Sequence, residues 1–536
     1  MDAVPADPLS CLETVRAMRS GQEGVPPMEE PTQQPDPAVT NERSQSPGET
    51  PDSPPVISSC ELTAVPRPVV LSPALPRLWV SVTVLCAILF LVVYGAQLIL
   101  VASTDRAEFL DAPEEYVEHV MGRDLDLESQ AALRPLWEKW ADVLGGYEPG
   151  DALQGSIEAY QDLSARSSWT RQGRTLAVLL GEAGDQAELA KELDALDEIP
   201  SETDFVQLIR YAYLGIGTAP PQSRAILAQV HPAWAQDKLL IRLAQLQGDA
   251  AEARAAEEQI ESRGRNLYNR SHPLAVAYLG AVAIGCAVVL GWLISGLPSL
   301  QVGTGMSPGP WTVGRGAAVM VRAALAGILI ELVLSMPQVL DSVPLLKGFY
   351  SLIRVLPLLW LGSRYLLQPT SNTLVGCFGL AVPRRSWVKL CLLTIGLTGL
   401  ELLGSTLITG CAERLGVKSH WSELALEDFL WDPAYIVGLN FFDGVVWAPI
   451  FEEIGFRGFL YTTLRSRLPT FWAALVTGLL FGAVHMYTLS GFLAVAWSGL
   501  IWSVAYEKSR SLVPGMMAHC FGNILAFGSM VLLYRS

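Results

Sequence analysis

Nine apolar runs, each close to the length that crosses a lipid bilayer, constrain this chain more than any other feature. They lie near 78–101, 273–297, 317–337, 347–367, 388–410, 434–451, 471–487, 490–506 and 512–534. A hydrocarbon core about 30 Å thick needs roughly 20 apolar residues in a helix. Backbone polar groups in lipid must be satisfied within the segment, so such runs become helices rather than open sheets. The expected fold class is therefore all-α: a polytopic transmembrane helical bundle, with an inserted helical soluble domain and a disordered N-terminal tail. The three runs between 434 and 506 are the shortest and define their boundaries least well.

Charge is unevenly spread along the 536 residues. Segment 105–268 holds 30 Asp+Glu against 15 Lys+Arg, a net of −15, while the whole chain is −16. This segment is rich in Ala, Leu, Glu and Gln, with Leu189, Leu193 and Leu196 at helical spacing, and is expected to fold as an acidic helical domain outside the bilayer. An acidic balance with no basic stripe excludes nucleic acid as a partner class; the domain is instead a candidate surface for a protein partner. Two stretches within it look alike, Leu179–Glu188 and Leu243–Glu252, each with a Gly-Asp pair at a helix junction. The pairs, Gly184-Asp185 and Gly248-Asp249, are 64 residues apart, close to twice the roughly 34-residue tetratricopeptide period. Ala-rich helices resemble one another without any repeat, so a plain helical domain is favoured over a tetratricopeptide-like one.

Residues 1–75 carry 14 of the 35 prolines and are expected to be a disordered cytoplasmic tail, reaching to 77. Arg67 and Arg77 precede the first run and Asp105 and Glu108 follow it, which sets the N-terminus in the cytoplasm. Alternating sides then brings Arg384, Arg385 and Lys389, Arg465 and Arg467, and Lys508 and Arg510 to the cytoplasmic face. Arg263, Arg265 and Arg270 fall on the other side, as long translocated domains allow. Eight cysteines without a CxxC pair, none in the acidic domain, argue against a disulfide framework or a thiolate metal site.

Ionisable residues inside such runs are costly and are functional candidates by default. Glu452 and Glu453 close the run 434–451, and Arg457 follows Glu453 by four residues, so the two can pair on a helix. Glu452 points elsewhere and is free to handle a water; a buried carboxylate of this kind can serve as a general base. His485 lies four residues after Phe481, and His519 and Asn523 are also four apart. Both of the latter can donate from one face, which suits a developing oxyanion. Taken singly, these residues read as a helix end or as interhelical hydrogen bonding. Taken together, two glutamates, two histidines and an asparagine on three late runs favour one shared polar site. Arg322, Glu331, Arg354, Arg364, Glu401 and Asp443 also interrupt apolar runs, without an assigned role.

Glu452-Glu453-Ile454-Gly455-Phe456-Arg457 reads EExxxR, Phe481 to His485 reads FxxxH, and His519 to Asn523 reads HxxxN. In that order the three motifs resemble the CPBP family, which includes type II CAAX prenyl endopeptidases and bacteriocin-immunity proteins. The resemblance covers 385–534, and Gly379-Leu380 ahead of Arg384-Arg385 fits it as well. It leaves 1–77, the first span 78–101, the acidic domain 105–268 and the spans of 273–367 outside the core. What it implies is an intramembrane endopeptidase with a peptide or protein substrate, working in the lipid bilayer. Glu452, helped by His485, would activate a water. His519 and Asn523 would stabilise the oxyanion, and Glu453 with Arg457 would hold the site in shape. No cofactor is expected. Zinc on two histidines and a glutamate is the mechanistic rival, but HExxH is absent and a water-activating carboxylate needs no metal. The alternatives are a non-catalytic scaffold or bacteriocin-immunity-type protein, and a proton-relay transporter, which the lack of an inverted repeat disfavours. The expected location is the bacterial inner membrane.

Overall fold

The computed structural model describes residues 77–103, 110–164, 170–296, 299–417, 420–422 and 427–535. The expected tail, 1–77, lies outside these residues except for Arg77 itself. Among the described residues every regular element is helical. Helix α1 is Arg77–Ser103. The acidic domain contains α2 (Pro113–Glu128), α3 (Leu136–Gly145), α4 (Asp151–Ser164), α5 (Thr170–Ala183), α6 (Gln186–Asp197), α7 (Thr203–Ile209) and α8 (Ala233–Gln247). Then come α9 (Ala250–Ile294), α10 (Val313–Leu334), the helical span α11 (Pro344–Thr370), α12 (Trp387–Arg414) and the helical span α13 (Ala434–Leu464). The chain closes with α14 (Thr470–Ala483), α15 (Leu489–Ser509) and α16 (Val513–Tyr534).

Eight of these helices are long and apolar enough to cross a bilayer, and α14 is a shorter apolar helix of 14 residues. At 1.5 Å per residue α14 reaches about 21 Å, short of a full crossing. The chain is a multi-pass membrane protein. Large apolar side chains such as Leu91, Val92, Ile99 and Leu290 point outward from the spans, as lipid contact requires.

The connections sort onto two faces. On one, Val302 donates from its backbone to Ser509, Met306 to Cys377 and Leu512 to Phe378, tying together the loops around 302–307, 377–379 and 509–512. On the other, Lys347 pairs with Asp428 and Asp432, and Asp111 and Ala112 donate to Glu427. Arg414 also reaches the carbonyl of Val143 there. This second face carries the acidic domain.

The domain is built around an apolar core that Phe429, Leu430 and Val437 from the bundle extend. The stripe Leu189, Leu193 and Leu196 is buried in it with Leu179, Phe205 and Leu239. The two similar stretches have a common cause in the backbone. Gly184 (φ 75°) and Gly248 (φ 74°) are left-handed and end one helix. Asp185 and Asp249 then cap the next, accepting from backbone N–H groups one turn on. The second helix after each junction differs: α6 has 12 residues, whereas α9 runs for 45 and leaves the domain as a membrane span. Domain and bundle thus share one continuous helix about 68 Å long. Within the bundle α9 meets α12 where Gly285 faces Gly399; a Cβ on Gly285 would stand 2.6 Å from the Gly399 Cα. Small residues permit that close backbone approach.

Candidate active site

Glu452 and Glu453 are not at a helix end. Span α13 continues without a break to Leu464, passing through π-helical turns at Asp443–Trp447 and Glu453–Tyr461. The apolar run ends at 451 because polar residues begin there, not because the helix stops. Glu453 is 1% and Arg457 0% exposed, so the pair is interior rather than snorkelling to an interface. Widened turns of this kind recur at functional sites.

Arg457 Nη1 lies 2.8 Å from Glu453 Oε1. The approach is off the donor directions of the guanidinium, so the contact is an ion pair without an aligned hydrogen bond. Arg457 also lies over the ring of Phe481, at 4.1 Å, and of Trp502, at 5.0 Å. Two aromatic faces and a carboxylate thus offset the burial of one cation.

His519 stands in the second turn of α16, after Pro514 has started the helix. Its Nε2 is 3.8 Å from Glu452 Oε2, and its Nδ1 is 3.7 Å from Glu453 Oε1. Both distances exceed a hydrogen bond. Trp502 stacks on the imidazole at 4.4 Å and Phe481 approaches it edge-on at 6.0 Å, which fixes the ring plane. Gly515, one turn before His519, leaves the room Glu453 occupies: a Cβ there would sit 2.9 Å from Glu453 Oε2. Glu452 Oε2, Glu453 Oε1 and His519 Nδ1 are buried with no hydrogen-bond partner in the protein. Three polar atoms left free around one imidazole form a surface for a water or a substrate carbonyl.

The other two motif residues stand further off. His485 lies in the turn after α14, donating from Nδ1 to the Phe481 carbonyl (2.7 Å) and packing on the Phe481 ring at 4.8 Å. It makes no ion pair with either glutamate among the described residues; His519 is the imidazole beside Glu452. Asn523 donates from Nδ2 to the carbonyl of Gly444 at 2.7 Å, satisfying a backbone group in the first π-helical turn of α13. All three motifs nevertheless converge: Phe481 touches Arg457, His485 and His519 at once. Trp502 completes the cluster and carries no sequence signal that separates it from the other tryptophans of the chain. Among the described residues no group of three or more His, Cys, Asp or Glu is arranged to hold a metal ion.

Residues 436–525, which run from α13 to the middle of α16 and enclose this whole cluster, match one family model: Type II CAAX prenyl endopeptidase Rce1-like. The segment is Rce1-like, consistent with the CPBP family. No curated protein and no solved structure matches the chain. At the level of the family, the Rce1-like segment supports a peptidase with a peptide substrate, embedded in a membrane. The acidic domain and the spans before 436 lie outside the matched residues.

Proposed function

We propose that the chain is an intramembrane endopeptidase of the CAAX prenyl protease type in which Glu452 activates water. The observation that carries this reading is the imidazole of His519 held between two carboxylates, 3.8 Å from the half-buried Glu452 and 3.7 Å from the interior Glu453. Glu452 takes a proton from water as its oxygen attacks the peptide carbonyl carbon. The carbonyl oxygen becomes an oxyanion, to which His519 and the amide of Asn523 donate. Collapse of the intermediate breaks the C–N bond, and the proton held by Glu452 goes to the leaving amine. Glu453 and Arg457 keep the carboxylates apart and the helix in shape, and His485 is the second imidazole of the site, anchored through Phe481. A carboxylate and an imidazole of this kind need no metal to polarise water; activity that survives prolonged incubation with a chelator supports the metal-free form, and loss restored by zinc overturns it.

The basic loops around Arg384, Arg465 and Arg510 would face the cytoplasm, with the N-terminus, and the acidic domain the opposite side, by the charge bias of short loops. A reporter fused within 150–250 tests this: cytoplasmic activity there overturns the orientation.

The direct test of the chemistry is Glu452→Gln, assayed against farnesylated and unprenylated CAAX-type peptides in parallel. Loss of cleavage with normal accumulation supports the mechanism, and cleavage at the wild-type rate sinks it. Cleavage of both peptides alike would leave the peptidase and remove the prenyl requirement. The second reading, a non-catalytic scaffold, draws on Asn523 and Arg457, whose contacts also serve to hold helices together; biological activity that survives His519→Gln at normal stability would favour it.

A further inference from the structure

Most ionisable residues inside the spans have a protein partner. Arg354 pairs with Glu331 at 2.8 Å, joining α11 to α10. Arg322 lies 3.8 Å over the ring of Trp79 and donates to its carbonyl. Asp443 accepts from the backbone and hydroxyl of Ser351. Glu401, in the middle of α12, is different. Its Oε2 is buried and has no hydrogen-bond partner in the protein, and no cation pairs with it among the described residues. Tyr278, which reaches the backbone of the next residue, is already committed to the Leu402 carbonyl and to Thr406.

The position of Glu401 is also specific. Its carboxyl rests against Gly522 of α16, where an added Cβ would stand 3.1 Å from Oε1 and 3.5 Å from Oε2. Residues 519, 522 and 523 share one helix face, so this contact lies on the face that carries His519 and Asn523. Gly515 makes the matching room for Glu453 one turn before His519. Two glycines seven residues apart, roughly 10 Å along the axis, therefore admit one carboxyl on each side of His519. A buried carboxyl oxygen with no protein partner lowers stability, so bundle packing does not account for Glu401.

We infer that Glu401 is a positioning residue of the proposed site: its carboxyl, seated on Gly522, sets the His519–Asn523 face of α16 against Glu452 and Glu453, and its free oxygen hydrogen-bonds within the occupied site. The inference rests on the protease reading above. Glu401 acts through α16 and the polar groups around His519 and forms no bond to substrate.

The test uses the full-length chain in cells and then purified. Membrane-protein fragments made with the wild-type chain and not with Glu452→Gln define the products, and a quenched peptide spanning one such cut gives kcat and KM. Glu401→Gln keeps the shape of the side chain and removes its ionisable group. We expect kcat lower by on the order of tenfold to a hundredfold, KM within about twofold, and unchanged thermal stability. Gly522→Ala, which presses a methyl onto the carboxyl, should lower kcat in the wild-type background and have little further effect in Glu401→Ala, where the space is free. Wild-type kcat in Glu401→Gln, with Glu452→Gln inactive, overturns the role of Glu401 and leaves the protease reading intact. Equal effects of Gly522→Ala in both backgrounds also overturn it. Fragments that persist in Glu452→Gln, or the absence of any Glu452-dependent fragment, overturn both.

Discussion

Arg123 Nη1 of the acidic domain donates to the carbonyl of Leu533, at 2.7 Å, on the last turn of the helix that carries His519. The same guanidinium nitrogen reaches the Arg535 carbonyl at 3.2 Å, and His119 Nε2 lies 2.6 Å from that of Tyr534. The last carbonyls of a helix have no partner within it, and a cation there is favourable. The domain thus caps α16 from outside the bundle, about three turns beyond Asn523. Removing the guanidinium should loosen domain and bundle together. Arg123→Ala is expected to destabilise the full-length protein by about 1.5–3 kcal/mol, the range for hydrogen bonds to a charged group. Thermal unfolding in detergent checks it; an unchanged midpoint would mean that α9 and the remaining contacts, such as Tyr534 to Asp124, hold the domain without Arg123.

The interior pair Glu453–Arg457 makes a sharper prediction. Arg457→Met leaves Glu453 as an uncompensated buried carboxylate and should cost about 3–5 kcal/mol. Arg457→Met combined with Glu453→Gln should recover much of that loss. Accumulation in membranes and thermal midpoint both report it, and a double variant no better than the single one would show that Arg457 matters through Phe481 and Trp502 instead.

The two histidines should separate kinetically. His519 faces both glutamates, whereas His485 contacts Phe481. Loss of a positioned acid–base or donor group typically costs about 10²–10⁴-fold in rate, and His519→Gln should fall in that range. His485→Gln should lose less, through misplacement of Phe481. Turnover of the same peptide by both variants decides it, and a larger loss in His485→Gln would point to a rearrangement on substrate binding that brings His485 to Glu452.

Asp124 provides a pH signal away from the bilayer. Burial raises its carboxyl from 3.8 to about 6, opposed by the hydroxyl of Tyr534, which donates to it at 2.6 Å, and assisted by the neighbouring charge of Glu128. A folded-state value above the unfolded one means that the native protein holds the proton more tightly. This contribution is complete below about pH 4 and is lost as pH rises through about 6. Unfolding midpoints measured from pH 4.5 to 7.5 should fall more steeply for wild type than for Asp124→Asn. Parallel curves would remove Asp124 as the cause.

Much of the fold could be read from apolar run length. The nine runs recur as eight spanning helices and the short α14, and the leucines of the acidic segment, recurring at helical spacing, supply most of the core that segment folds around. The motif residues could be read because each has an unusual side chain in an apolar setting. Other features could not. The apolar run ends at 451 while the helix continues to Leu464, since hydropathy records the side chains and not the backbone hydrogen bonds. Glu401 carries no motif, and its contact with Gly522 spans 121 residues of chain.

The sequence by itself determined that the chain enters a membrane, that an acidic helical domain interrupts its spans, and that Glu452, Glu453, Arg457, His485, His519 and Asn523 belong to three ordered motifs. These are local properties: run length, composition and spacing act within one segment. Only the tertiary structure decided that His519 rather than His485 stands beside Glu452, that Glu453 and Arg457 are interior, that a third carboxyl at Glu401 meets the same helix face, and that the acidic domain caps that helix. Those relationships depend on which helix lies against which, at distances where a glycine in place of any side chain decides whether a carboxyl can fit.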